Sequence, residues 1–81
     1  MRDAQAVAFA ELLKQYRVRA HLSQEELAER ARLSVRAISD LERGLKQRPR
    51  TATVLLLVEA LGLSEEEQAA FEAAANGGAA V

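Results

Sequence analysis

Two serines eleven positions apart, Ser23 and Ser34, constrain this chain more tightly than any other feature. Ser23 is followed three residues later by Glu26. In that spacing the hydroxyl accepts from the backbone N–H of Glu26 and the carboxylate reaches back to the N–H of Ser23, which opens a helix. Leu22 and Leu27 stand at the staple positions that fix the entry angle of the chain. Ser34 is a further start signal. The helix opened by Ser23 therefore occupies only about 24–31. Arg32-Leu33-Ser34 is left as a three-residue connection to a helix over about 35–43, with Ile38 and Leu41 facing inward and Gly44 as its C′ stop. Ala28 is the small residue that two closely crossing helices need, and Leu33 is an apolar residue in the turn, placed to plug the core.

The rest of the chain is punctuated in the same way. Phe9, Leu12, Leu13 and Tyr16 recur at helical spacing and predict a first amphipathic helix over about 4–20. Residues 45–50 contain the only Pro and form a loop. A fourth helix begins near Thr51 or Thr53 and ends at Gly62, with Val54, Leu57, Val58 and Leu61 as its buried stripe. Leu55 and Leu56 lie off that stripe, so either the fifth helix or a second protomer covers them. Ser64 with Glu67 repeats the capping box and opens the fifth helix, through Ala75. The expectation is an all-α, compact five-helix domain over 1–75, with 76–81, opening on Asn76-Gly77-Gly78, as a flexible tail or linker.

At 81 residues there is room for one small domain with a thin core. The chain has no cysteine and one histidine, His21, read as a solvent-facing helix-end residue. Disulfides, thiolate metal sites and His clusters are thereby excluded. No Ser/His/Asp set or Gly-rich phosphate loop is present, so an enzyme is not expected, nor is a cofactor, a metal or a small-molecule ligand. No apolar run approaches a membrane span, and Met-Arg-Asp-Ala-Gln is not the start of a signal peptide. A soluble, cytoplasmic domain is the expectation.

The net charge of −1 conceals a strong asymmetry. All 11 Lys and Arg lie in residues 1–50, whereas residues 51–81 carry five Glu and no base. Between Arg30 and Arg50 seven basic residues face only Asp40 and Glu42. Such a stretch suits phosphate binding, although charge runs are commonly just solvated faces. Two short helices joined by a three-residue turn form the unit whose second helix can enter a major groove, although any small helical bundle has short turns.

Residues 9–63 resemble the helix-turn-helix domain of the Xre-type, phage-repressor-like transcription regulators. Leu22-Ser23-Gln24-Glu25-Glu26-Leu27-Ala28 is similar to the second helix of that family, and Leu33 through Gly44 to its turn and recognition helix. Arg48-Pro49-Arg50 and Ala60-Leu61-Gly62-Leu63 are similar to the following loop and the end of the fourth helix. The variant also resembles the amino-terminal domains of large actinobacterial regulators.

The resemblance implies double-stranded DNA as partner, read in the major groove by the third helix and bound as a homodimer across two half-sites. Val35, Arg36, Ser39 and Asp40 are then the candidate base contacts. Arg is the bidentate partner of guanine O6 and N7, and Val can cover a thymine methyl. Gln24, Ser34, Arg43, Lys46, Arg48 and Arg50 are the candidate phosphate contacts. Gln24 has an alternative use, locking onto a side chain of the recognition helix. Asp40 departs from the family, which often carries an amide or a base there. It either accepts from cytosine N4 or pairs within its helix with Arg36 or Arg43. Arg17 and Glu42 are implied to form a structural ion pair. A protein-interaction or assembly module on the same fold, without DNA binding, is the alternative function.

Overall fold

The computed structural model describes residues 4–44 and 49–76, with side chains from residue 8 onward. These residues form five α-helices and no strand: α1 (Ala4–Arg19), α2 (Gln24–Ala31), α3 (Val35–Glu42), α4 (Thr51–Leu61) and α5 (Glu65–Ala75). Both capping boxes are closed. Ser23 Oγ accepts from Glu26 N at 3.0 Å while Glu26 Oε1 accepts from Ser23 N at 2.8 Å. Ser64 and Glu67 repeat this at 3.2 and 3.0 Å. Leu22 and Leu27, on either side of the first box, are both buried.

The first four helices are each followed by a left-handed residue, whereas α5 ends on Asn76 at φ −92°. Gly62, at φ +65°, caps α4, and Gly44, at φ +69°, follows α3. A left-handed backbone costs an L side chain energy that Gly avoids, so both positions are cheap stops. The other two left-handed residues are not glycine: His21 after α1 and Arg32 after α2, each at φ +60°. Arg32 lies in the α2–α3 turn, where Leu33 N donates to Ala28 O at 2.9 Å.

Packing places α3 between α1 and α2, while α5 closes on α1 and α4. Leu13, Leu27, Ile38, Leu57 and Phe71 are the largest fully buried side chains, one from each helix. Ala28 is buried at the α2–α3 approach, and Leu33 packs on the edge of the core from the turn. Phe9 and Phe71 stack with centroids 4.6 Å apart, and Tyr16 meets the Phe71 ring edge-on at 5.8 Å.

The sequence offers Phe71 and the alanines around it on α5, beside Leu55 and Leu56 on α4, as apolar surface for a partner, and the packing corrects this for α5. Phe71 is no free face for a partner, because α1 uses it to complete the core. Leu55 and Leu56 remain exposed on α4, so α5 does not bury them. Leu61 is only partly buried at the end of its stripe. Among the described residues no helix is long and apolar enough to cross a membrane.

Candidate nucleic-acid interface

The seat of α3 is set by its own sequence. Ser34 Oγ accepts from Ala37 N at 3.0 Å and caps the first turn. Ile38 and Leu41, three residues apart, point into the core. At about 3.6 residues per turn, Val35, Arg36, Ser39, Asp40 and Arg43 then fall on one arc of roughly 140° on the opposite side. Val35, Arg36 and Arg43 are exposed, and Ser39 and Asp40 are half-buried. Val35 is 41% exposed, an apolar residue left in solvent at the start of the helix. Arg36 has no ion-pair partner among the described residues. Asp40 Oδ1 stands 3.8 Å from Arg43 Nη1, an ion pair within the helix at a spacing of three. Of the two partners expected for Asp40 within the helix, the carboxylate faces Arg43 and not Arg36.

The far end of α3 is held from two other helices. Arg17, in the last turn of α1, grips Glu42 with both arms of its guanidinium. Nε donates to Oε2 at 2.5 Å and Nη2 to Oε1 at 3.0 Å. Its Nη1 donates to the carbonyl of Leu22 at 2.8 Å, tying the α1–α2 connection into the same node. Gln24 Nε2, in the first turn of α2, also donates to Glu42 Oε1, at 3.1 Å. The Arg17 and Glu42 side chains are only 12% and 5% exposed. The hydrogen bonds to Glu42 raise the pKa of Arg17 above its ordinary value, outweighing the loss of solvation. The Gln24 amide nitrogen thus locks onto α3, one of the two uses expected of it.

Of the basic stretch 45–50, expected to be a loop, only residues 49 and 50 are described. Lys46 and Arg48 lie outside the described residues. Arg50 is exposed and stands at the N-cap of α4 without a side-chain capping bond. Ser34 is likewise exposed, with its hydroxyl oxygen already accepting from Ala37 N. His21 is exposed at the end of α1.

A second link from α1 was not legible in the sequence. Arg19 Nη1 lies 2.6 Å from Glu67 Oε2, and its guanidinium lies over the Tyr16 ring at 5.0 Å from the centroid. Glu67 Oε1 simultaneously closes the Ser64 capping box. The Arg19 hydrogen bond, followed by that from Ser64 N, holds the Glu67 carboxyl below its ordinary range. The capping box located Glu67, but no local pattern connects it with a residue 48 positions earlier.

Helix-turn-helix is the family whose model matches residues 13–68, more than half of the chain, and the match spans α2, the turn, α3 and α4. The chain belongs to the Xre-type, phage-repressor-like helix-turn-helix family. That is a family of DNA-binding regulators and not of enzymes. No curated protein and no solved structure matches the chain. The three-residue turn of this helix-turn-helix domain is Arg32-Leu33-Ser34, and the helix that follows it carries the exposed arc.

Proposed function

We propose that residues 1–75 form the sequence-specific DNA-binding domain of a transcription regulator, with α3 lying in the major groove and 76–81 serving as a tail or linker. The observation that carries this reading is the exposed arc of α3, presented by a helix whose back is buried and whose far end is fixed by three side-chain donations to Glu42. Val35 and Arg36 begin the helix, at the end that meets base edges in this motif. Arg36 reads guanine, and Val35 lies against a thymine methyl. Ser39 and Asp40 complete the reading face, with Asp40 accepting from cytosine when Arg43 releases it. Arg43, Lys46, Arg48 and Arg50 hold phosphates and set the register, with the Ser34 hydroxyl and the second N–H of Gln24 Nε2 as donors beside them.

The test is a binding selection from a random duplex library, repeated across salt concentrations. Arg36→Ala should relax preference at one base position per half-site, at a cost of roughly 1–3 kcal/mol there. Arg50→Ala, and Arg48→Ala likewise, should weaken binding to every sequence alike and reduce the log–log salt slope by about one unit. A changed sequence preference at constant slope for Arg50→Ala would reverse these assignments.

An α3 of eight residues reaches only a few base pairs, so we propose paired binding on two half-sites about 34 Å apart. The free domain should sediment mainly as monomer at micromolar concentration. A tight dimer that Leu55→Lys dissociates would instead place a constitutive interface on α4. The second reading, an assembly module without DNA binding, draws on that same exposed pair, Leu55 and Leu56. A library from which no sequence is enriched would favour it.

A further inference from the structure

Four described residues adopt a left-handed backbone, and they divide into two kinds. Gly44 and Gly62 are glycines, for which the conformation is nearly free. His21 and Arg32 are not, and each raises the energy of the folded chain by holding an L side chain at φ +60°. Arg32 has the sharper case to answer. The turn needs only its backbone: its N–H turns back on the carbonyls of Ala28 and Glu29, and Leu33 N closes on Ala28 O. Any residue supplies those bonds, and glycine supplies them without strain. The Arg32 side chain gives the fold nothing in return, being exposed and without an ion-pair partner among the described residues. It is also two residues ahead of Ser34, the cap of α3, and so flanks the end of the helix that carries Val35 and Arg36.

We propose that Arg32 is a positioning residue for nucleic acid: its guanidinium takes a backbone phosphate beside the leading end of α3, and the strained turn is retained for that cation. The inference rests on the DNA-binding reading above and extends it to a residue outside α3 and the basic loop. An unpaired guanidinium is a fitting phosphate ligand because its fork can donate twice to one phosphate. A contact of this kind sets where the helix enters the groove and reads no base. Backbone strain retained at a place where the fold has a cheaper residue is the mark of such a use.

Strain and charge can be separated by three variants. Arg32→Gly removes both, Arg32→Gln removes the charge and keeps the left-handed side chain, and His21→Gly relieves the equivalent strain elsewhere and removes no arginine. Each is measured by thermal melting, and by binding across salt to a duplex selected from the random library and to an unrelated duplex of equal length. Arg32→Gly should melt roughly 4 °C or more above the parent, because relief of a left-handed side chain is a large effect in a domain of this size. It should nevertheless bind both duplexes more weakly, with a salt slope shallower by about 0.9, the loss of one phosphate contact. Arg32→Gln should show the same loss of slope without the gain in melting temperature. His21→Gly should gain stability and keep the slope. An unchanged slope in either Arg32 variant, or an equal fall in His21→Gly, overturns the inference and leaves DNA binding by α3 standing. A parent domain that binds neither duplex overturns both readings.

Discussion

Helix α1 makes two arginine–carboxylate links, two residues apart, and they differ in almost everything except distance. Arg17 meets Glu42 at 2.5 Å and Arg19 meets Glu67 at 2.6 Å. The first pair is nearly removed from solvent and its carboxylate also accepts from Gln24. The second is open to water, with Arg19 57% and Glu67 28% exposed. Length does not rank them. A charge stranded in the first site has no water to turn to, whereas either member of the second is solvated when its partner leaves. The two links also serve different parts of the molecule. Arg17 fixes the helix proposed to read DNA, and Arg19 ties down the start of the helix that closes the core.

The sharpest way to break this contrast is Glu42→Ala. It should cost about 3 kcal/mol in chemical denaturation, because Arg17 is left buried with only the Leu22 carbonyl as acceptor. A loss no larger than that of Arg19→Ala would mean that the node is solvated after all. Gln24→Ala comes next, at about 1 kcal/mol, since a part-buried hydrogen bond to a carboxylate is lost while the ion pair survives. Should it cost nothing but weaken DNA binding, the Gln24 amide belongs to phosphate rather than to Glu42. The smallest effect concerns pH. Folding lowers the pKa of Glu67, so its contribution is complete above the ordinary value of 4.5 and disappears as pH falls through the lower folded value. Melting curves between pH 6 and pH 3 should therefore lose less on acidification in Arg19→Ala than in the parent. The difference should shrink in 1 M salt, where exposed charges are screened within about 3 Å.

These contrasts also mark what the sequence could disclose. α2, the turn and α3 were legible from Ser23, Glu26 and Ser34, because a capping box is a local device whose parts lie three residues apart. The seat of α3 followed from Ile38 and Leu41, and its exposed arc from what remained. Arg17 with Glu42 came only through the family resemblance, since nothing within either helix connects positions 25 apart. Gln24 carried two readings, and the choice of Glu42 as acceptor depends on the crossing of α2 and α3, which no spacing encodes. Phe71 misled for a related reason. Among the alanines of α5 it looked like a spare apolar residue, and only the return of α5 onto Phe9 and Tyr16 gives it neighbours.

That return has a consequence for the order in which the protein comes into being. The ring stack joins residue 9 to residue 71, so α1 waits for α5 before its apolar face is covered. At about 5–20 residues per second, a ribosome adds the roughly thirty residues between Glu42 and Phe71 in approximately 1.5–6 s. Throughout that interval α3 has its Arg17 anchor available, but Phe9 and Tyr16 lack the ring that covers them. Helix–coil relaxation takes about a microsecond or less. The nascent chain thus has time to sample and abandon its early helices many times over before α5 arrives, and the arrival of α5, not helix formation, is the event that times the closing of the core.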